Sequence, residues 1–194
     1  MVLPEYRVRD RHGTTPIDAA LDARAALRWI AEHSDRLGVD KHNIFAGGGS
    51  AGGQLAASLP VTASLDSEAG ITPKPKGLVL FNPAANFDHP EGIGRQRHLG
   101  DVGVSLEEFL RVDPYIHATG DYPPTLILHG TADRIVPISA IEAFALRLRE
   151  LAVRVHMVAF EGREHGFFNL VRSKSDFDAA LVHIDDFLDG MVAG

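Results

Sequence analysis

The sequence predicts an α/β fold of three layers, a mostly parallel sheet with helices on both faces. Three observations predict it. Short apolar runs alternate with longer stretches of helical periodicity, the pattern of strand–helix–strand units. The runs at 44–46, 78–81 and 126–128 are apolar at consecutive positions, as strands buried on both faces are. Residues able to carry chemistry follow the strands directly, where the C-terminal rim of an open parallel sheet forms its ligand site.

Val2 to Val8 reads as a first strand, with Pro4 favouring an edge position. Arg9 to Thr14 is polar and reads as a loop. Thr15 is placed to cap a helix, with Pro16 at its first position and Asp18 completing a capping box. That helix is expected to run to about Arg36, with Ile17, Leu21, Leu27 and Ile30 on its apolar side, and to stop at Gly38. Asn43 to Gly47 reads as a buried strand, and Ala51 to Pro60 as a helix. Lys76 to Phe81 is the next strand. From 82 to 124 the periodicity is lost, apart from a short helix around Leu106 to Val112. A long irregular stretch inside a compact domain is more often functional than idle, so 82–124 is expected to be a substrate-side insertion in a single domain spanning 1–194. Thr125 to His129 is a strand. Ser139 and Glu142 open a helix to about Leu151, Val153 to Phe160 is a strand, and a last helix covers about Ser175 to Leu188, with Asp185 and Asp186 on its solvated face.

Composition bounds the function. The 194 residues are 45% apolar and 23% charged, as in an ordinary soluble domain. The net charge of -7 argues against nucleic-acid or anionic-membrane partners. No apolar run approaches the ~18 residues of a membrane span. No basic segment followed by an apolar core opens the chain, so the expected location is cytoplasmic. Cysteine is absent, which removes disulfides and thiol chemistry.

The central motif is Gly48-Gly49-Ser50-Ala51-Gly52-Gly53, between an apolar strand and an Ala/Leu helix. Gly48-x-Ser50-x-Gly52 fits a nucleophile elbow, a sharp strand-to-helix turn that lifts a serine hydroxyl clear of the backbone. The glycines are expected because a Cβ there would meet the neighbouring strand or helix. Asp133 stands just beyond the strand that ends at His129, and His165 follows the last strand. The order Ser50, Asp133, His165, each beyond a strand, is a stronger signal than the serine alone. Each has a plainer reading: Ser50 as a turn serine, Asp133 as a turn cap with Asp88 or Asp101 as the acid, His165 as a loop histidine. His129 reads as a structural residue at a strand end. His89, His98 and His117 show no metal-ligand spacing.

These stretches, with Leu128-His129-Gly130-Thr131-Ala132-Asp133 and Glu164-His165-Gly166-Phe167, resemble α/β-hydrolases of the bacterial esterase and lipase type. The similarity is to the group related to hormone-sensitive lipase and to carbohydrate acyl-esterase modules. The resemblance implies a serine esterase, and the short stretch 82–124 leaves little material for a large lipase lid, so short acyl esters are expected. Ser50 would be the nucleophile, His165 the base, Asp133 its orienting acid and the Ala51 N–H an oxyanion donor. Gly49, Phe87 and Phe167 would line the substrate, a small-molecule ester. The chemistry requires no metal or cofactor. The triad leaves amide and lactone substrates open.

One departure from the family matters. Its members begin with several more strands, and a His-Gly-Gly loop after the third supplies a second oxyanion donor. This sequence resembles the family from about the fourth strand onward. Losing one donor costs ~10²–10³ in kcat. The alternative is therefore a weak or inactive hydrolase fragment that serves as a binding or assembly module. Val2 to Val8 is expected to fill the place beside the elbow strand, or to pair with a second copy in a homodimer.

Overall fold

A computed structural model describes residues 1–66, 73–92 and 103–192. Four strands form one parallel sheet in chain order: β1 (Phe45–Gly49), β2 (Gly77–Phe81), β3 (Thr125–Gly130) and β4 (Val155–Phe160). The register pairs Gly48 with Leu80, Leu80 with Ile127, and Ile127 with Met157.

Alternation along these strands sends side chains to two cores. Leu78, Leu80 and Ile127 pack with Ala56 and Ala57 of helix α4 (Ala51–Ser58) and with Ile141, Phe144 and Leu148 of α7 (Ile138–Glu150). Val79, Leu126 and Leu128 face the other way, against Ala180, Ile184 and Phe187 of α8 (Lys174–Val192). The sheet thus lies between two helical layers, as the apolar runs predict.

Helix α2 (Pro16–Glu32) begins with the expected capping box between Thr15 and Asp18. A break at His33 divides the expected single helix, and α3 (Ser34–Leu37) ends at Gly38 in the left-handed region, φ 65°. Short helices α5 (Leu106–Leu110) and α6 (Pro114–His117) lie between β2 and β3. Residues 9–14, expected as loop, contain the short α1 (Arg9–His12). The helix expected to open at Ser139 starts after Pro137 instead, whose side chain has no acceptor to cap it, and the Ser139 hydroxyl bonds Glu91.

Two expectations fail together at the left edge of the sheet. Val2 to Val8 is not a strand. β1, expected to be buried, is an edge whose Gly47 is exposed, because among the described residues only β2 pairs with it. A cavity of about 260 Å³ lies beside β1, lined by Leu3, Tyr6, Leu27, Ile30, Phe45 and Leu55. The N-terminal segment lines this cavity without joining the sheet of its own chain. No described helix is long and apolar enough to cross a membrane.

Candidate active site

The nucleophile candidate sits where β1 turns into α4. Ser50 has φ 55° and ψ -117°, a conformation that a residue with a Cβ rarely adopts. Its backbone is held on both sides. The N–H donates to the Phe81 carbonyl at 2.9 Å, and its own carbonyl accepts from Gln54 N–H at 2.9 Å and Ala84 N–H at 3.3 Å. Serine at a helix N-cap ordinarily spends its hydroxyl on the first turn. Here it makes no capping bond. The Ala51 N–H is the first of the helical N–H groups that have no acceptor within the helix, which makes it the oxyanion-donor candidate.

The glycines divide into two kinds. A Cβ on Gly48 would lie 2.5 Å from the Gly52 carbonyl carbon, and one on Gly53 would lie 2.9 Å from the Gly48 oxygen and 3.1 Å from Pro83. Strand and helix could not meet so closely otherwise. A Cβ on Gly52 would meet nothing within 4 Å. The expectation that every glycine of the motif prevents a clash is therefore corrected at Gly52, whose Cβ direction is open.

Asp133 follows β3 with its side chain fully buried. One oxygen, Oδ1, accepts the N–H groups of Ile135 and Val136, each at 2.9 Å. The other, Oδ2, accepts from His165 Nδ1 at 2.7 Å. Burial pushes this carboxyl up, but the bonds from His165, Val136 and Ile135 outweigh it and hold it below the ordinary carboxylate value. The donor proton on Nδ1 leaves His165 Nε2 as the base position, and that side chain is 18% exposed.

The loops that carry acid and base are built as one piece. Gly130 allows the Arg163 carbonyl to approach to 2.2 Å of where a Cβ would stand, and that carbonyl accepts the Ala132 N–H at 3.0 Å. Thr131 N–H donates to Phe160, and Gly162 N–H donates to the Thr131 hydroxyl. Arg163 pairs with Asp176 of α8 at 2.7 Å, and Arg172 donates to the His165 carbonyl at 2.7 Å. Beyond His165, Phe168 stacks on Phe81 of β2 with ring centres 4.5 Å apart. The same ring lies against Gly49, where a Cβ would come within 2.6 Å of it. The histidine loop is thereby planted on the elbow strand.

Phe87 and Phe167, expected to line the substrate, are placed in the cores. Phe87 is 1% exposed against Phe109, and Phe167 is 4% exposed against Phe160. Gly49 does stand beside the elbow, with Phe168 as its neighbour. Asp88 lies on the exposed segment after β2, while Asp101 and His98 lie outside the described residues. Among the described residues no cluster of three His, Asp or Glu side chains has a metal-binding arrangement. Two contributors escape sequence reasoning. Phe168 follows the Glu164-to-Phe167 motif with no mark of its own, and the amides of Ile135 and Val136 are visible only as the turn after an aspartate.

A family model described as the alpha/beta hydrolase fold matches residues 2–169. Among curated relatives, Esterase LipC of Mycobacterium tuberculosis is 28% identical over 181 residues, covering 84% of this chain and 44% of the relative. The probable carboxylic ester hydrolase LipM of the same organism is 25% identical over 148 residues, covering 70% and 34%. The chain thus spans less than half the length of these relatives. Among solved structures, the propionate-bound esterase Est2 of Thermogutta terrifontis has a TM-score of 0.83 at 36% identity, covering 97% of this chain and 70% of that one. The same esterase phosphorylated by paraoxon gives 0.82 at 34% identity, covering 97% and 69%.

Proposed function

The chain belongs to the alpha/beta hydrolase fold family, and from that premise we propose that it is a serine carboxylic-ester hydrolase using Ser50, His165 and Asp133. The observation that carries the reading is the 2.7 Å bond from His165 Nδ1 to a fully buried Asp133, on the rim where Ser50 is held in an elbow conformation. Ser50 Oγ attacks the ester carbonyl carbon while His165 Nε2 takes the hydroxyl proton. Asp133 holds the ring in that tautomer and stabilises it once charged. The Ala51 N–H donates to the oxyanion. Collapse of the tetrahedral intermediate breaks the bond to the alkoxy oxygen, which leaves with the proton from Nε2. Water, deprotonated by the same nitrogen, then attacks the acyl-serine and releases the acid.

Short acyl chains are the proposed substrates. The related Thermogutta esterase has been solved with propionate and with butyrate bound, which supports this choice. That esterase is also solved phosphorylated by paraoxon, which supports a covalent route through a nucleophilic side chain.

A second reading, a catalytically weak or inactive module that serves binding or assembly, is favoured by the edge of β1, which among the described residues pairs only with β2. One experiment separates the two. Turnover of p-nitrophenyl acetate and butyrate, and intact-mass labelling by paraoxon, are measured for the wild type, Ser50→Ala and His165→Ala. Turnover and labelling that vanish in Ser50→Ala support the esterase. Turnover unchanged in Ser50→Ala removes Ser50 as the nucleophile, and a wild type that neither turns over nor labels leaves the binding module.

A further inference from the structure

His129 is a buried polar residue next to this site that the proposed mechanism does not use. It occupies the penultimate position of β3, and its side chain is 0% exposed. Its Nε2 lies 2.8 Å from the Val136 carbonyl. A carbonyl only accepts, so Nε2 carries the hydrogen and Nδ1 is a bare acceptor. That Nδ1 is buried with no partner. An orphaned buried acceptor costs stability, and the bond from Nε2 to the Val136 carbonyl offsets that cost.

Val136 is held from both ends. His129 binds its carbonyl, and Asp133 Oδ1 accepts its N–H at 2.9 Å. The imidazole therefore fixes the same peptide segment that fixes the acid. Asp133 Oδ2, the oxygen that accepts from His165, is 3.5 Å from His129 Nε2. Burial pushes His129 down from the ordinary histidine value, against the pull of the Val136 carbonyl and of Asp133. An uncharged ring here leaves the Asp133 carboxylate to His165.

The strand beside His129 leads to the nucleophile. The register pairs Phe81 with Leu128, and Asn82 N–H donates to the Leu128 carbonyl at 2.9 Å, so Asn82 is the cross-strand neighbour of His129. Neighbours in a parallel pair share a face. Asn82 is fully buried, and its side-chain amide also has no partner. It stands between Phe81, whose carbonyl accepts the Ser50 N–H, and Ala84, whose N–H donates to the Ser50 carbonyl. His129 is thus bonded to the turn that holds Asp133 and is the strand neighbour of the segment that clamps Ser50.

We propose that His129 is a positioning residue of this site: it locks the Val136 turn that orients Asp133, and through Asp133 the ring of His165, without touching substrate. The proposal rests on the reading of Ser50, His165 and Asp133 as a catalytic triad.

The test compares the wild type with His129→Leu, which removes the donor, and His129→Gln, whose amide reaches the Val136 carbonyl. Two readouts are taken: kcat and KM on p-nitrophenyl acetate, and NMR amide hydrogen exchange at Ile135 and Val136. His129→Leu is expected to lower kcat by about 10–100-fold with little change in KM, the cost of a small misplacement near the chemistry. It also leaves the buried Val136 carbonyl without that donor, so the thermal midpoint falls, and exchange at Ile135 and Val136 is expected to quicken more than at the core amides of β3. His129→Gln is expected to restore kcat and exchange together. Wild-type kcat and exchange in His129→Leu would overturn the proposal, as would a His129→Gln variant as impaired as His129→Leu. If the leucine variant does not fold, His129→Phe replaces it under the same criteria. A wild type with no turnover and no paraoxon adduct would defeat the triad reading by itself. The exchange measurement then still decides whether His129 holds the turn.

Discussion

His165 Nδ1 donates to Asp133 Oδ2 at 2.7 Å, while the other oxygen of the same carboxylate is filled by the N–H groups of Ile135 and Val136. The carboxylate has one orientation, and so the imidazole has one tautomer. Asp133→Asn keeps the shape but can present an N–H to Nδ1, which would move the ring proton to Nε2 and remove the base. We expect kcat on p-nitrophenyl acetate to fall by about 10³–10⁴-fold with the fold intact by circular dichroism. A loss below about tenfold would mean that another group orients His165.

Ser50 stores strain in its backbone at φ 55° and ψ -117°. A residue in such a conformation costs about 1–3 kcal/mol, and only glycine is relieved of it. Glycine also loses about 0.5–1 kcal/mol through its greater freedom in the unfolded chain. Ser50→Gly should therefore be more stable than Ser50→Ala by about 1–2 kcal/mol in urea unfolding, with both inactive. Equal stabilities would show that the elbow imposes no strain at this residue.

What the sequence reveals, and what it hides, follows from the range of the interactions. Gly77 to Phe81 and Thr125 to His129 are legible as strands because burial on both faces demands consecutive apolar residues. Asp133 and His165 are legible because a parallel sheet sends every strand's C-terminal end to one rim. Val2 to Val8 misleads because its apolar content suits a strand, yet a strand exists only where another offers its backbone, and that is not a local property. The same gap turns β1, which reads as buried, into an edge. Phe87 and Phe167 mislead because an aromatic ring has the same sequence signature in a pocket wall and in a core. The contact of Phe168 with Gly49, and the bond of His129 to Val136, depend on how loops close over the sheet, for which one-dimensional spacing holds no signal.

Gly48 and Gly52 flank Ser50 symmetrically in sequence but not in space. A Cβ on Gly48 would be forced to 2.5 Å from the Gly52 backbone, whereas one on Gly52 would point into open space. Gly52 also lies in the first turn of α4, where alanine is the better helix former. Gly48→Ala is expected to destabilise by about 1–3 kcal/mol as backbone gives way. Gly52→Ala is expected to stabilise by about 0.5–1 kcal/mol. Thermal unfolding of the two variants checks both, and similar losses in both would contradict the difference in their surroundings.

Asp66 ties α2 to the segment after the elbow helix. It accepts from Arg24 Nε at 3.1 Å and Arg28 Nη1 at 2.9 Å, and Arg24 also donates to the Leu59 carbonyl at 2.8 Å. The Asp66 and Arg24 side chains are 9% and 8% exposed. Burial pushes the Asp66 carboxyl up, but the two arginines outweigh it and hold it below its ordinary value of 3.8. Removing one partner of a buried pair leaves an uncompensated charge, so Asp66→Ala should cost about 3–5 kcal/mol at pH 7. The pH dependence has a definite sign. A carboxyl lowered by folding contributes its full stabilisation above the unfolded value, and loses it as the pH falls through the folded one. The stability gap between wild type and Asp66→Ala should therefore be constant from pH 7 down to about 5 and narrow steadily below about 4. Urea unfolding across that range measures it. A gap that stayed constant to the lowest pH reached would mean that Asp66 contributes through packing and not through its charge.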